Sequence, residues 1–313
     1  MSQLITEAFV QQYNANIMML SQQRGSKLEG TVKQTTQKGT TQYFDQIGTV
    51  AAVKKTGRHS STPQLDTPHS RRSVTLTDYE WADMIDDQDK IRMLIDPTSD
   101  YSMAAAWAFG RAKDTEIIQA ALGTAMTGQK GNVAVALPNT QKYAANNGTN
   151  LTDLNVRTLR AVKRKFDAAE VMAPRHMAIT SAQLESLLAQ TEVTSADYNS
   201  VRALTNGEVN SFVGFNFHQL ELLPLTTATS ANQTTGGDVN GAVAGSIVAL
   251  TGTNRACIAY TQEGILLSKG EDFVTKISER DDKSYSTQVY ARMSIGATRM
   301  EEVQVVEVIC KEA

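Results

Sequence analysis

The stretch from residue 57 to residue 122 constrains the fold of this chain most, because it joins a long polar loop to a long helix. The loop contains Pro63 and Pro68, is too polar to form a core, and is long for an idle connection in a compact domain. A segment that cannot fold on itself, joined to a rigid helix, is suited to contacting neighbouring molecules. The pattern therefore favours assembly over catalysis.

The helix is predicted over residues 99–126, which would make it about 40 Å long at 1.5 Å per residue. Pro97 blocks earlier propagation, and Asp100 lies in the first turn, where the helix dipole favours a negative charge. The residues predicted to pack along one stripe are Met103, Trp107, Gly110, Ile117 and Ala121. Alanines cover much of the remaining surface and allow other backbone to approach closely. We therefore interpret this helix as the structural spine of the chain.

Composition excludes several classes of protein. The 313 residues are 41% hydrophobic and 20% charged, which is ordinary for a globular protein. The formal net charge of −3 argues against a general nucleic-acid binder. The chain has no apolar run near the roughly 20 residues that cross a bilayer, so no membrane partner is predicted. Cys257 and Cys310 fit buried thiols in a reducing cytoplasm.

Charges are segregated on either side of residue 76. The basic side contributes Lys54, Lys55, Arg58, Arg71 and Arg72, and the acidic side contributes Asp78, Glu80, Asp83, Asp86, Asp87 and Asp89. One interpretation is that each cluster is a solvated face. The other is that the basic loop of one subunit contacts the acidic segment of the next, since complementary charge fixes the register between partners.

The remaining segments predict a mixture of helices and strands. Residues 5–20 are predicted as a short amphipathic helix. Residues 24–44 have few apolar side chains and are expected to form an extended arm, and residues 47–53 are predicted as a strand. A second helix is predicted over residues 151–171, with Leu154, Thr158, Val162, Phe166 and Ala169 facing inward. Thr180 and Gln183 have the spacing of a capping box for a third helix. A strand or hairpin surrounds Gly214, and the chain is nearly all β beyond residue 245, beginning with a strand at residues 246–250.

Catalytic and metal-binding patterns are absent from the sequence. None of the four histidines stands at ligand spacing from another histidine or a cysteine, and no nucleophile or phosphate-binding motif occurs. We therefore predict no catalytic residue, no cofactor and no metal site. The run from Asp78 to Asp89 keeps one rival open, an Asp-rich metal- or ligand-binding module.

The second predicted helix also has a basic side. Its cations are Arg157, Arg160, Lys163, Arg164 and Lys165. A solvated face or a contact between subunits is the favoured interpretation, and contact with nucleic acid is the alternative.

The order of elements resembles the tailed-bacteriophage major capsid proteins of the Hong Kong 97 fold. Three passages carry the resemblance: RRSVTLTDYEWADMIDDQDKIRMLIDPTSDYSMAAAWAFGRAKDTEIIQAAL, NGEVNSFVGFNFHQLELLP and SYSTQVYARMSIGATRMEEVQVVEVICKEA. The first is similar to the passage from extended loop to spine helix in capsid proteins of short-tailed phages. The resemblance covers about the whole chain and implies an α+β capsid fold.

The resemblance also implies a division of the chain. Residues 1–44 would be an N-terminal arm, 45–78 an extended β-hairpin loop, and 79–150 a peripheral domain with the spine helix. Residues 151–250 would form the mixed α/β axial domain, and residues 251–313 would be strands that return to the peripheral domain.

Function and partners follow from the same resemblance. It implies a structural protein of the virion, made as pentamers and hexamers in the bacterial cytoplasm, that forms an icosahedral shell around double-stranded DNA without reading its sequence. A separate scaffolding protein is expected, since only about 45 residues precede the loop, together with a portal protein and a candidate decoration protein. An encapsulin-like nanocompartment that holds an enzyme is the nearest rival.

Overall fold

The computed structural model describes residues 21–59, 61–62, 64–86, 98–146, 151–190, 211–226 and 254–312. The chain divides into two compact units. The first comprises Met1–Ser26, Asp78–Arg111 and Glu271–Ser294, and the second comprises Lys27–Thr77, Ala112–Gly270 and Ile295–Ala313.

Helices and strands together confirm the predicted α+β class. The helices are α1 (Thr98–Leu122), α2 (Val156–Ala168) and α3 (Ser181–Leu188). The strands are β1 (Lys33–Thr36), β2 (Thr41–Ile47), β3 (His69–Thr75), β4 (Thr77–Ile85), β5 (Ala125–Thr127), β6 (Val133–Val135), β7 (Lys142–Ala144), β8 (Arg175–Ile179), β9 (Ser211–Phe212), β10 (Phe215–Gln219), β11 (Leu225–Thr226), β12 (Asn254–Thr261), β13 (Ile265–Arg280), β14 (Ser286–Arg299) and β15 (Val305–Lys311).

The second unit is built on a sheet with the strand order β7-β15-β12-β8-β10-β9, to which β11 adds by pairing with β12. Strand β12 is buried along most of its length and pairs antiparallel with both β8 and β15. Fully buried side chains from its strands and from α2, among them Phe166, Phe215 and Tyr260, form one hydrophobic core. Burial on both faces explains the continuous apolar run at residues 256–260 of β12.

Helix α2 covers this sheet with the apolar face predicted from its spacing. Leu159, Val162 and Phe166 are fully buried, and the Asn155 side chain caps the helix by accepting from the Thr158 N–H at 2.7 Å. Ala169 is exposed, contrary to the prediction, because the helix ends at Ala168.

The predicted capping box at α3 is wrong. Thr180 precedes the helix, but its hydroxyl donates to Glu312 at 3.2 Å and makes no cap hydrogen bond. Gln183 is buried instead, where it accepts from the Leu154 N–H at 2.7 Å and donates to the Lys311 carbonyl at 2.8 Å. The Gln183 amide therefore joins a loop residue to the last residue of β15, instead of capping its own helix.

Helix α1 is 25 residues long, about 37 Å, and ends four residues before the predicted position. Gly123 follows its last residue, and β5 then pairs with β3 and β6. Arg299 donates to the carbonyl of Ala121 in the last turn at 3.0 Å and to that of Gly123 just after the helix at 2.8 Å. Residues 125–127, most of which were predicted to continue the helix, therefore form a strand instead.

The segment after residue 26, predicted to be part of a free arm, packs on its own unit. Leu28 and Val32 are almost completely buried, and β1 pairs in parallel with β13. Thr31 shares a 2.6 Å hydrogen bond with the Tyr260 hydroxyl. The prediction failed because it counted apolar residues alone, whereas polar contacts hold this segment in place.

Two hairpins complete the described fold. Strands β2 and β3 pair antiparallel from Thr41↔Thr75 to Ile47↔His69, so the first strand of the extended loop ends where the sequence prediction began it. Strands β13 and β14 form a long pair, and within the first unit β4 adds to β14. Residues 5–20, predicted as a short helix, and residues 246–250, predicted as a strand, lie outside the described residues.

Candidate assembly interface

The loop that joins β2 to β3 is the most exposed part of the described chain. Every described residue from 47 to 70 is exposed. The side chains include Ile47 at 71%, Val50 at 59%, Val53 at 56% and Leu65 at 50% exposure. Isolated exposed apolar residues are normal on any surface, but three on one loop with a fourth at the end of β2 indicate a surface that another molecule covers.

The two strands are fixed at the base of this loop. The Gly48 N–H donates to the Pro68 carbonyl at 2.8 Å. Arg71 forms a bidentate ion pair with Asp45, with its Nε donating at 2.5 Å, and its guanidinium lies 5.4 Å from the Tyr43 ring centroid. This pair lowers the pKa of Asp45 and raises that of Arg71. The base is therefore ordered within the chain although the loop packs on nothing described.

Arg72 is buried, whereas the sequence placed it among the cations that could contact a neighbouring subunit. It is 7% exposed, donates to Glu302 at 2.5 Å and donates to the Met300 carbonyl at 3.1 Å. Arg299 approaches the same carboxylate at 3.9 Å, and burial lowers the pKa of its guanidinium to about 10. Since its partners lie on the same chain, Arg72 supports the hairpin from inside. Lys54, Lys55 and Arg58 remain exposed on the loop.

The predicted acidic segment lies on β4 and just after it, in the first unit. Asp78 accepts from the Ser294 hydroxyl at 2.5 Å, and Glu80 accepts from the Tyr290 hydroxyl at 3.0 Å. Asp83 and Asp86 are exposed. Asp87 and Asp89 lie outside the described residues, so the structure places four of the six predicted carboxylates, three on β4 and Asp86 just after it.

Helix α1 packs through a stripe that the sequence predicted in part. Ile117 and Ala121 are fully buried, and Gly110 lies so close to Gly25 that a Cβ would stand 2.4 Å from its carbonyl carbon. Trp107 is partly buried, and its ring lies 5.3 Å from the Arg24 guanidinium.

Met103 differs from the predicted packing, with 47% of its surface exposed. The buried stripe passes instead through Ala105, Phe109 and Lys113. Met103 precedes Ala105 by two residues, a spacing that puts it on the other side of a helix. The sequence prediction missed Phe109, whose ring lies 5.4 Å from that of Phe273 in the first unit.

Asp114 is a buried carboxylate whose hydrogen-bond partners the sequence did not predict. It is fully buried on α1 and accepts from the Lys27 N–H at 3.0 Å and the Leu28 N–H at 3.0 Å. Beside it, Lys113 forms an ion pair with Glu29 at 3.1 Å, and Glu29 also pairs with Lys269. These bonds explain how a polar segment lies on α1 without a large apolar surface.

A histidine pair is the other group that spacing could not reveal. His176 Nδ1 and His218 Nε2 lie 3.0 Å apart on neighbouring strands β8 and β10, 42 residues apart in sequence. Burial lowers the pKa of both, and the nearby His218 lowers that of His176 further. The pair is half-buried and next to Tyr260, with ring centroids 5.8 Å apart.

Within the described residues, no cluster of three or more His, Cys, Asp or Glu side chains could hold a metal ion. In the same part of the chain, no helix is both long and apolar enough to cross a membrane. The second unit does present an exposed apolar loop with an ordered, basic base. Such an arrangement can bind another protein surface.

Comparison with known proteins identifies the family and the fold. A family model described as phage capsid protein matches residues 5–312. Among curated protein sequences, no significant match is found.

Solved capsid structures share the fold at low sequence identity. The capsid of cyanophage P-SCSP1u matches with a TM-score of 0.71 and 16% identity, covering 99% of this chain and 95% of that one. The capsid of Ralstonia phage GP4 matches with a TM-score of 0.71 and 9% identity, covering 98% and 96%. The capsid of a native GTA particle, computed with C5 symmetry, matches with a TM-score of 0.65 and 13% identity, covering 97% of this chain and 96% of that one.

Proposed function

Because this chain belongs to the phage capsid protein family, we propose that its copies assemble as pentamers and hexamers into an icosahedral shell around double-stranded DNA. Family membership gives the chain a structural role in the virion. The capsid of the similar GTA particle was computed with C5 symmetry, which is consistent with rings of five. An icosahedral shell larger than the smallest possible one also needs sixfold positions.

The observation that carries the proposal is the exposed loop between β2 and β3. Its apolar side chains gain burial only when another subunit covers them, at about 25 cal/mol per Å² of apolar surface. Each contact is weak, but a subunit that contacts several neighbours cannot leave unless all contacts break together. Many such loops therefore stabilise a shell that no single contact could.

Charge sets the register of that contact. Lys54, Lys55 and Arg58 on the loop are exposed, and Asp83 and Asp86 are exposed on and after β4. The loop cations of one subunit contact the acidic segment of a neighbour, and opposite charge selects the correct overlap. Arg71 and Arg72 contribute indirectly, since they fix the base of the hairpin within its own chain.

The remaining expectations extend the same proposal. The division into N-terminal arm, extended loop, peripheral domain and axial domain is carried over from the Hong Kong 97 resemblance, as are assembly in the host cytoplasm and the partners. Those partners are a scaffolding protein, a portal protein and, as a further candidate, a decoration protein. DNA is enclosed without sequence-specific binding, which suits a chain with a net charge of −3.

Electron microscopy of the purified chain, expressed alone and with its neighbouring genes, tests the proposal. Closed shells that contain DNA are expected. Shells that contain an enzyme would indicate a nanocompartment, and small discrete particles under every condition would refute shell formation.

A charge-reversed loop tests the contact itself. The triple variant Lys54→Glu, Lys55→Glu and Arg58→Glu should lower the yield of shells at least about tenfold, because like charges would then face each other. Reversal of Lys38, an exposed lysine outside the loop, is the matched control and should leave the yield unchanged. An unchanged yield from the triple variant would show that the loop cations do not set the register.

A further inference from the structure

The outer face of α2 carries a concentrated positive charge. Arg157, Arg160 and Arg164 are exposed and recur at spacings of three and four, so they lie on one side of the helix, with Lys163 beside them. Within the described residues, none of these four cations forms an ion pair. Lys165 does not belong to this face, since its ammonium donates to the Thr140 carbonyl on the other side.

A cleft of about 990 Å³ opens beside this face. It lies between the start of α2 and the turn of the β9–β10 hairpin, and Arg157, Arg160 and Arg175 line it. Arg175 pairs with Asp167 at 2.7 Å, and only 10% of its side chain is exposed. Its Nε has no hydrogen-bond partner among the described residues. The cleft therefore presents three guanidinium groups, and the buried Nε–H of Arg175 still lacks a hydrogen-bond acceptor among the described residues.

A second cleft, of about 390 Å³, lies on the other side of the loop that follows α2. Both clefts share Ala173 and Pro174 as lining residues. The second is lined by the exposed carboxylates of Glu170, Glu263 and Glu301, and in the described part of the chain none of the three forms an ion pair. The two clefts thus have opposite charge.

The same loop carries the most exposed large apolar side chain of the described residues. Met172 is 85% exposed and lines the acidic cleft, and Ala173 and Pro174 beside it are also exposed. An apolar tip between charged borders has the composition of a protein–protein interface, with an apolar centre and a polar rim. Methionine is suited to the centre because its side chain adapts to an irregular partner.

From these features we infer that the two clefts are the two halves of one interface between neighbouring copies of this chain. The basic cleft of one copy receives the acidic cleft of the next, with Met172 buried at the junction. The contact is heterologous when each copy offers its basic cleft to one neighbour and its acidic cleft to another, and it forms a ring when the rotation between neighbours closes. The inference rests on the proposed shell function, since it names the contact that would join the subunits of a pentamer or hexamer.

A phosphate backbone is the other partner that a row of arginines can bind. It would explain the basic face alone and would leave the acidic cleft and the exposed Met172 without a partner. A second copy of the chain accounts for all three features. The charge of the second cleft decides between the two partners.

Charge reversal tests the inference. The basic variant Arg160→Glu with Arg164→Glu, and the acidic variant Glu170→Arg with Glu263→Arg, should each lower the yield of shells at least about tenfold. Combining all four substitutions in one chain should restore it. Every position is exposed, so thermal unfolding of each variant should match that of the wild type, and Lys276→Glu, an exposed reversal outside both clefts, is the control.

Mixing the basic and acidic variants gives a sharper result. Each variant can then contact only the other, so rings must alternate and contain an even number of subunits. Hexameric rings and open sheets are expected by microscopy and sedimentation, without the fivefold vertices that a closed icosahedral shell needs.

Three results would overturn the inference. The combined variant could remain defective, the acidic variant could assemble normally, or the basic variant could form normal shells that hold less nucleic acid. The last would assign the basic face to phosphate. These results are distinct from a failure of the proposed function, in which the wild-type chain itself would form no shells.

Discussion

Two segments of similar composition behave in opposite ways. Residues 27–32 and residues 47–70 are both rich in small and polar side chains, and the sequence predicts an extended conformation for most of each. The first is held against α1 and the sheet, with Leu28 and Val32 buried. The second leaves every described residue exposed. Composition alone therefore does not decide whether a polar segment folds on its own chain.

The difference lies in the partners that each segment finds. Residues 27–32 meet a buried carboxylate, Asp114, and a buried hydroxyl, that of Tyr260, which satisfy polar groups that burial would otherwise leave unpaired. At the loop between β2 and β3, the Gly48 N–H closes the base, but the apolar side chains further out contact no core. One segment stabilises the subunit, and the other is available to a neighbour.

The largest expected effect comes from removing the carboxylate. Asp114→Ala should lower the free energy of unfolding by about 3 kcal/mol, because two buried backbone N–H groups that donate to its carboxylate would be left without an acceptor. Chemical denaturation of the subunit measures this loss.

The matched control for this variant is Asp114→Asn, which keeps one acceptor oxygen and should retain part of the stability. A loss below about 0.5 kcal/mol for the alanine variant, the range of ordinary surface changes, would show that the segment is held by its apolar side chains alone.

The sequence predicted most elements, and the failures have a common cause. Spacing located the apolar face of α2, the hairpin around Gly214 and the long strands near the end, because each depends on neighbours within one element. The roles of Asp114 and Arg299 depend on backbone groups more than 80 and 160 residues away. A backbone N–H or carbonyl has no side-chain identity, so no pattern in the sequence marks it as a partner.

The candidate interface shows the same limit. The charge segregation was visible in the sequence, but Arg71 and Arg72 look alike there. The structure separates them, since Arg71 is partly exposed with Asp45 and Arg72 is buried with Glu302. The clefts beside α2 could not be predicted as a pair, because Glu263 and Glu301 join Glu170 only in the folded sheet.

A smaller effect is expected from the second polar partner of residues 27–32. Tyr260→Phe removes the hydroxyl that shares a hydrogen bond with Thr31. The loss should be about 1 kcal/mol, because the Thr31 hydroxyl still donates to the Leu28 carbonyl at 2.7 Å. Thermal unfolding detects it, and Tyr290→Phe, at a partly exposed tyrosine hydrogen-bonded to Glu80, is the control. An equal loss from both variants would contradict a special role for Tyr260.

Acid pH should weaken the same region through the histidine pair. The pKa values of His176 and His218 are lowered in the folded chain, so the unfolded chain binds protons more readily below the ordinary value of 6.5. Stability should therefore fall as the pH drops from 7 to 5. His176→Gln should flatten this dependence, measured as melting temperature against pH, whereas substitution of the exposed His59 should not. Equal slopes for the two variants would assign the acid sensitivity to other groups.

Changes in the loop between β2 and β3 should have the smallest effect on the stability of the subunit. They therefore give the clearest contrast with residues 27–32. Replacing Val50, Val53 and Leu65 by serine removes apolar side chains that are at least half exposed, so the free energy of unfolding should stay within about 0.5 kcal/mol of the wild type. Shell yield should nevertheless fall strongly, because the burial lost is burial against a neighbour. For Asp114→Ala, by contrast, the main defect should be a lower free energy of unfolding of the subunit, not a weaker contact between subunits. If the serine variant unfolds more easily and still assembles, the loop belongs to the subunit core and the distinction between the two segments fails.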